Sequence, residues 1–443
     1  MQERRSTRRA RRMLLPATMA AVLALAAFVG SSASASTSRA APTGSQLTIA
    51  DVAPFTGPDG ALGPTYLVAC TAATAVINAD GGVLGHPLGC KSVDTRGDPA
   101  DAVPAVHQMF ASGAPAFVIG CTSDEAAAVV PIFGQNHTVS FCMTGQSEFD
   151  HVKYPYFFRL VPPDLSESYA MTAIAQNRHY KRIALAFGND IGSQTFVQPA
   201  IAALKKAGIK LVANETLDLN ATTFRTEAAA VVNAHPQAIM TEALGPTEAS
   251  FIGEVKQLNG GKAIPMIGTS ATISPDWYKS VAAAVGKQTL ASGFVADNLV
   301  TETSGPAYSA FSKAMLAQKG KVGSTGNFAT YLTSPGGVHL YDGINLAALA
   351  MIAAHSTSTS AFMPWILKIG DGVPGATVVH SFDQGAAALK AGKKIRYEGP
   401  GGPTNFDAYH DSAGLFQTDA YTVSGAVKVT GNISVTQLRS LGL

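Results

Sequence analysis

From Leu47 onward, short runs rich in β-branched and aromatic residues alternate with longer amphipathic segments, and that alternation leaves few folds open. LTIADV has the pattern of a strand, YLVACTAATAVINA of a helix with apolar residues three and four apart, KSVDT of a strand and DAVPAVHQMFAS of a helix. The strand PAFVIG, a helix over 124–135 and the strand TVSFCM continue the series. Such a series builds an α/β unit: an open, doubly wound parallel sheet with helices on both faces.

After the proline-bearing connection YPYFFRLVPPD the same rhythm resumes, with helix ESYAMTAIAQNR, strand RIALAF, helix TFVQPAIAALKKAG and strand KLVANE. RTEAAAVVNA, AIMTE, EASFIGEVKQL and PMIG repeat it again. One sheet would need about a dozen strands, so two similar α/β lobes are expected instead. ASGFVADNLV has the character of a second crossing between lobes, followed by helices AYSAFSKAMLA and HLYDGINLAALAMIAAH. The stretch FDAYHDSAGLFQTDAYTVSGAVKVTGN has β character with Gly, Asn and Asp turns.

Ahead of this series, six arginines between Arg4 and Arg12 precede an uncharged stretch from Met13 to Ser38. Its core, MLLPATMAAVLALAAFVG, followed by Ala33-Ser34-Ala35, has the form of a cleavable signal peptide over residues 1–35. The arginine pairs admit a twin-arginine route as well as the general one. No Cys follows the apolar core before Cys70, so no lipid attachment site is visible. Loss of residues 1–35 leaves 26 basic and 29 acidic side chains, a net charge of −3, which argues against a nucleic-acid partner. With 47% apolar and only 14% charged residues, the remainder is expected to be a soluble, extracytoplasmic globular protein.

An exported chain with four cysteines favours disulfides over metal binding. Three connectivities are possible. Cys70 with Cys90 and Cys121 with Cys142 are favoured because each pair sits on elements that should be neighbours. There is no C-x-x-C, and no His stands where it would complete a zinc site. No metal or cofactor is expected.

Catalytic motifs are absent: there is no G-x-S-x-G, H-E-x-x-H, Walker loop or G-x-G-x-x-G at a strand-to-helix turn. What stands out is Cys121-Thr122-Ser123-Asp124 after one strand and Thr144-Gly145-Gln146-Ser147 after the next. Ligands collect at the carboxyl ends of strands in open α/β sheets, where hydroxyls and free N–H groups suit an anion. Helix capping alone also accounts for Thr122 and Ser123.

The stretches APFTGPDGALGP, INADGGVLGHPL, DTRGDPADAV and FVIGCTSDEAAAVVPIF, with the later YDGINLAALA and ALKAGKKIRYEGPGGPTNFD, occur in an order that resembles the bacterial extracellular solute-binding proteins of the branched-chain amino acid (leucine/isoleucine/valine-binding) family. The resemblance runs from Gln46 to Leu443. It implies a periplasmic-binding fold of type I: two Rossmann-like lobes joined by three crossovers, with ligand trapped in the cleft between them. The expected division is a linker over 36–45, first lobe 46–158, second lobe 159–292, first lobe again 293–396, and a return to the second lobe with a C-terminal segment over 397–443.

The same resemblance implies first-lobe ligand contacts at Thr122, Ser123, Thr144, Gly145 and Gln146, with Phe55 in the first cleft loop, and second-lobe contacts near Ile191, Leu244 and Ser270. Two of these depart from the family's amino-acid binders, which tend to carry an aromatic ring where Ile191 stands and an acid where Ser270 stands. Either Glu242 or Asp190 then supplies the missing carboxylate, or the ligand lacks an ammonium group. The expected function is capture of a small polar organic solute (an amino acid, amide, urea or small carboxylate) for an ABC importer. The chain would act as a monomer that meets the membrane only through an ABC permease. A two-lobed sensor not coupled to transport is the alternative, and a hydrolase with an unrecognised site is a second one.

Overall fold

The computed structural model of the chain describes residues 41–322, 328–412 and 414–442. The expected signal peptide and the start of the linker lie outside the described residues. The first lobe opens with β1 (Leu47–Ala53), α1 (Gly63–Ala79), β2 (Leu88–Asp94), α2 (Pro99–Ala111), β3 (Phe117–Thr122), α3 (Ser123–Gln135), β4 (Ser140–Met143) and β5 (Phe157–Arg159). Its sheet has the order β2-β1-β3-β4-β5 with every pairing parallel. β3 is buried along its whole length, which is why FVIGCT is almost continuously apolar.

The second lobe contains α4 (Asp164–Asn177), β6 (Arg182–Gly188), α5 (Ile191–Thr195), α6 (Val197–Lys206), β7 (Lys210–Leu217), α7 (Arg225–Asn233), β8 (Ala238–Glu242), α8 (Gly245–Leu258), β9 (Met266–Gly268), α9 (Pro275–Val285), α10 (Lys287–Gly293) and β10 (Phe294–Leu299). The chain then returns to the first lobe with α11 (Gly305–Leu316), α12 (Phe328–Tyr331), α13 (Pro335–Ala354), α14 (Thr359–Gly370), β11 (Thr377–Val379), α15 (Phe382–Lys390) and β12 (Ile395–Tyr397). Finally β13 (Phe416–Tyr421), β14 (Val427–Ile433) and α16 (Val435–Leu441) rejoin the second lobe. The second sheet has the order β14-β13-β10-β9-β8-β6-β7, parallel except for its antiparallel edge pair β13 and β14.

Three crossings therefore join two α/β lobes, as expected, with differences at their edges. YPYFFRLVPPD is not only a connection, because Phe157–Arg159 adds an edge strand beside β4. ASGFVADNLV does not cross: Phe294–Leu299 lies between β9 and β13 in the second sheet, so the second crossing follows Leu299 rather than residue 292. The third comes after residue 412 rather than at 397. The segment before it is held to the first lobe by Asp411 beside Arg159 and by the His410 ring stacked on Phe158.

In the first lobe α1 and α13 cover one face of the sheet, while α2 and α3 cover the other. α13 is long and apolar enough to cross a membrane by length and composition, yet it is buried against α1 and α14. Its close approach to α1 depends on small residues, since a Cβ on Gly336 would lie 2.4 Å from the Tyr66 ring. Both expected disulfides are present: Cys70 to Cys90 with Cα atoms 6.1 Å apart, and Cys121 to Cys142 with Cα atoms 4.9 Å apart.

Candidate functional site

The carboxyl ends of β3 and β4 face those of β6, β8 and β9 across a cavity of about 450 Å³. A groove of about 800 Å³ on the first lobe, lined by Trp365, Leu389 and Ile395 and rimmed by lysines, lies away from these strand ends.

On the first-lobe wall, the turn out of β3 is set by Gly120 (φ +94°) and Cys121 (φ 39°). A Cβ on Gly120 would sit 2.4 Å from the Val52 carbonyl oxygen, so only glycine fits, and the Cys121 disulfide to Cys142 pins the next residue. Thr122 then caps α3. Its N–H and hydroxyl both donate to the Glu125 carboxylate, at 2.9 and 2.6 Å. Thr122 borders the cavity, but its hydroxyl is committed to Glu125. Ser123, one residue on, donates to the Thr144 hydroxyl at 3.2 Å, and Thr144 donates in turn to Gln146 at 3.3 Å.

Thr144 and Gln146 are buried behind the wall rather than on it. The Gln146 carbonyl is held at 2.9 Å by the buried guanidinium of Arg159, which also pairs with Asp150 and Asp411. Gly145 is exposed to the cavity through its backbone. A side chain there would collide with Asp164, whose Oδ1 would lie 1.7 Å from the added Cβ.

The second-lobe wall is acidic. α4 is buried along nearly all of its length, so Asp164 and Glu167 at its start lie at the cavity with little water around them. Glu167 receives the Ser270 hydroxyl at 3.0 Å and the Ser270 N–H at 3.3 Å. A carboxylate from another element is thereby held beside position 270. Glu242, at the end of β8, accepts from the Thr269 hydroxyl. Asp164 accepts from Thr195. Asp190 caps α5 through its Oδ1, 2.7 Å from the Ser193 N–H, while its Oδ2 is buried without a partner among the described residues.

Burial raises the pKa of Asp164 to about 8 and that of Glu167 to about 7, and it pushes Glu242 well above the carboxylate range. Asp297 stands behind Glu167, fully buried, and is raised by burial and then by the Glu167 charge. Across the cleft, Asp59 rises to about 8 through burial and the charges of Asp124 and Asp190, and Asp124 to about 6 through burial and Asp190. Lys279, which is exposed, is the one positively charged residue among the described lining residues. Among the described residues no group of three or more His, Cys, Asp or Glu side chains is placed to hold a metal ion.

Of the residues expected at a ligand, Thr122, Ser123, Gly145, Glu242, Leu244 and Ser270 line the cavity, whereas Phe55, Thr144, Gln146 and Ile191 do not. The Phe55 ring packs over Gly63 at the start of α1, and its backbone N–H is held by Asp94. Ile191 begins α5 with its side chain 46% exposed. Asp124 stands in the Cys121–Asp124 stretch that the sequence singles out, whereas Asp59 and Tyr66 on the first lobe and Asp164 and Glu167 on the second carried no such mark. The available signal was acids at the head of ESYAMTAIA, a helix apolar enough to be buried, because buried acids need a reason.

A family model for periplasmic binding proteins matches residues 46–425. A curated relative, Leu/Ile/Val-binding protein homolog 3 of Brucella melitensis, is 26% identical over 166 residues, which span 37% of this chain and 45% of that protein. The match thus covers under half of that relative's length. Among solved structures, a leucine-binding protein from Thermotoga maritima superposes with a TM-score of 0.69 at 16% identity, covering 88% of this chain and 99% of that one. A solute-binding protein of an ABC transporter from R. palustris, in complex with benzoate, gives a TM-score of 0.67 at 16% identity, covering 87% and 96%. At these identities the two structures show the fold; the family model spans both lobes and the cavity between them, and the chain belongs to the periplasmic binding protein family.

Proposed function

We propose that this chain captures a small organic solute in the cavity between its lobes, outside the cytoplasmic membrane, and delivers it to an ABC permease. The observation that carries this reading is that Ser123 and Gly145 from one lobe and Glu242 and Ser270 from the other converge on one cavity at the strand ends of two sheets. Contacts from both lobes give a ligand differential affinity for the closed state, which is what closure of such a molecule requires. The relatives bind leucine and benzoate by their descriptions, so membership in the family does not choose the solute. The signal peptide ending near Ala35, a monomeric state and membrane contact only through the permease belong to the same reading.

Native mass spectrometry of protein secreted by its own host would recover the bound solute. Uptake of that solute should then fall in cells lacking this chain. Recovery of no solute, together with unchanged uptake of every solute tested, counts against the reading.

A further inference from the structure

From the chemistry of the cavity wall we infer that the solute is an organic cation, an amine or amidine without a carboxylate. This inference rests on the proposed role of the cleft as the solute site.

The first observation concerns hydrogen-bond sense. Asp59, Asp124, Asp164, Glu167, Asp190 and Glu242 all border the cavity, and no Asn, Gln, Arg or His does among the described residues. Burial favours the protonated form of several of these carboxyls in the empty cavity, and an incoming cation would favour their ionised form, which only accepts hydrogen bonds. The complement of such a wall is a ligand made of donors, such as an ammonium or guanidinium group.

The second observation lies where a zwitterion's carboxylate would have to sit, beside Ser123. That part of the wall carries Asp124 and Asp59, with Asp190 facing them from the second lobe. The guanidinium of Arg159, behind Gln146, is buried and occupied by Asp150, Asp411 and the Gln146 carbonyl. A ligand carboxylate would thus meet like charge, which is costly in a desolvated cleft, and the exposed Lys279 is the one cationic side chain among the described lining residues.

The third observation is independent of the acids. Tyr66 lines the cavity, is only 5% exposed, and its hydroxyl donates to no group among the described residues. A buried tyrosine hydroxyl normally finds a partner. Tyr66 thus brings an aromatic ring and a hydroxyl without a partner among the described residues to a cavity that Glu167 and Glu242 also line, a partly aromatic, acidic lining of the kind that binds organic cations. Glu167 is also held in place before any ligand arrives, by both Ser270 groups.

Calorimetry and thermal shift with agmatine, putrescine and phenethylamine as cations, leucine as zwitterion, benzoate as anion and benzamide as neutral probe test the inference. At least one cation should bind, and Glu167→Gln, which keeps the side-chain shape, should weaken that binding roughly thirtyfold or more, as loss of one partner of a buried charge pair does. Glu242→Gln provides a second variant should Glu167→Gln fail to fold. Leucine, benzoate or benzamide binding more tightly than every cation, with affinity unchanged in either variant, would overturn the cationic class and leave solute capture standing. Failure of all six probes also overturns the inference. Recovery of a native solute by mass spectrometry would in that case keep the capture reading, and its absence would remove both.

Discussion

The carboxylate of Asp124, at the head of α3, accepts a hydrogen bond at 3.2 Å from the backbone N–H of Gly192, at the head of α5, so an acceptor on the first lobe meets a donor on the second. A Cβ on Gly192 would make ordinary contact with the Ser123 side chain, 3.4 Å away, so the two helix heads lie close together. Asp124→Ala removes the acceptor and should shift the protein toward open forms by about 1.5 kcal/mol, the scale of a hydrogen bond to a charged group. Asp124→Asn keeps an acceptor and should not. Small-angle scattering of the two variants checks this, with a larger radius of gyration expected for Ala alone.

Gly145→Ala sets a methyl group against Asp164, in a space where nothing larger than hydrogen fits. Both residues are fixed, because the Asp164 N–H donates to the Gly145 carbonyl at 2.8 Å. The substitution is expected to cost about 1–3 kcal/mol of stability in a urea titration. It should also weaken binding of any ligand that Asp164 contacts.

Replacing both Cys121 and Cys142 by serine opens a loop with a sequence separation of 21 residues. Loss of about 3 kcal/mol is expected from the chain-entropy model. A second effect should follow from geometry, since this link holds the β3 turn that positions Thr122 and Ser123. Cys70 and Cys90 act far from that turn, so serine at those two sites should lower the melting temperature and leave ligand affinity nearly unchanged. Free-thiol titration of the secreted protein, with no thiol found before reduction, checks both links.

Glu248 lies under β8, fully buried, with both oxygens 2.8–2.9 Å from the Thr241 hydroxyl. That hydroxyl is also 2.8 Å from the Ala186 carbonyl. One hydroxyl proton serves one acceptor, so the Glu248 contact needs the carboxyl's own proton, in keeping with a pKa raised by burial to about 8. A proton held more tightly in the folded than in the unfolded state stabilises fully below the ordinary glutamate value of about 4.3, and this contribution is lost as pH rises from there through about 8. Glu248→Gln should remove that part of the pH dependence, up to about 1.4 kcal/mol per pH unit. Denaturant midpoints of both proteins from pH 5 to 8.5 measure it; parallel curves would contradict it.

The two-lobed architecture was legible because alternating runs such as LTIADV and PAFVIG carry periodicity that tertiary contacts merely confirm. β5 was not, since three residues next to two prolines have too little pattern to separate a strand from a loop. β10 was mistaken for a crossing because a strand buried on both faces and a connecting segment can share a short apolar run. At the site, hydroxyls after β3 and β4 were visible as candidates, but spacing cannot distinguish Ser123, on the wall, from Thr144, one layer behind it. The acids were harder still. Glu167 reaches Ser270 from 103 residues away, a relation fixed by which helix packs over which strand end.

Each lobe is assembled from pieces far apart in the chain, and this governs how a nascent molecule matures. While only residues up to β10 have emerged from a ribosome or a translocation channel, the second sheet still presents the edge that β13 later covers, and the first lobe still lacks the long helix α13 against α1. Neither half is then a finished folding unit, so the usual order in which an amino-terminal domain completes itself first does not apply. Both lobes become complete nearly together, once the segment up to β14 has emerged. A chain cut short anywhere before β13 would leave two unfinished proteins in one molecule, with an open strand edge available for aggregation.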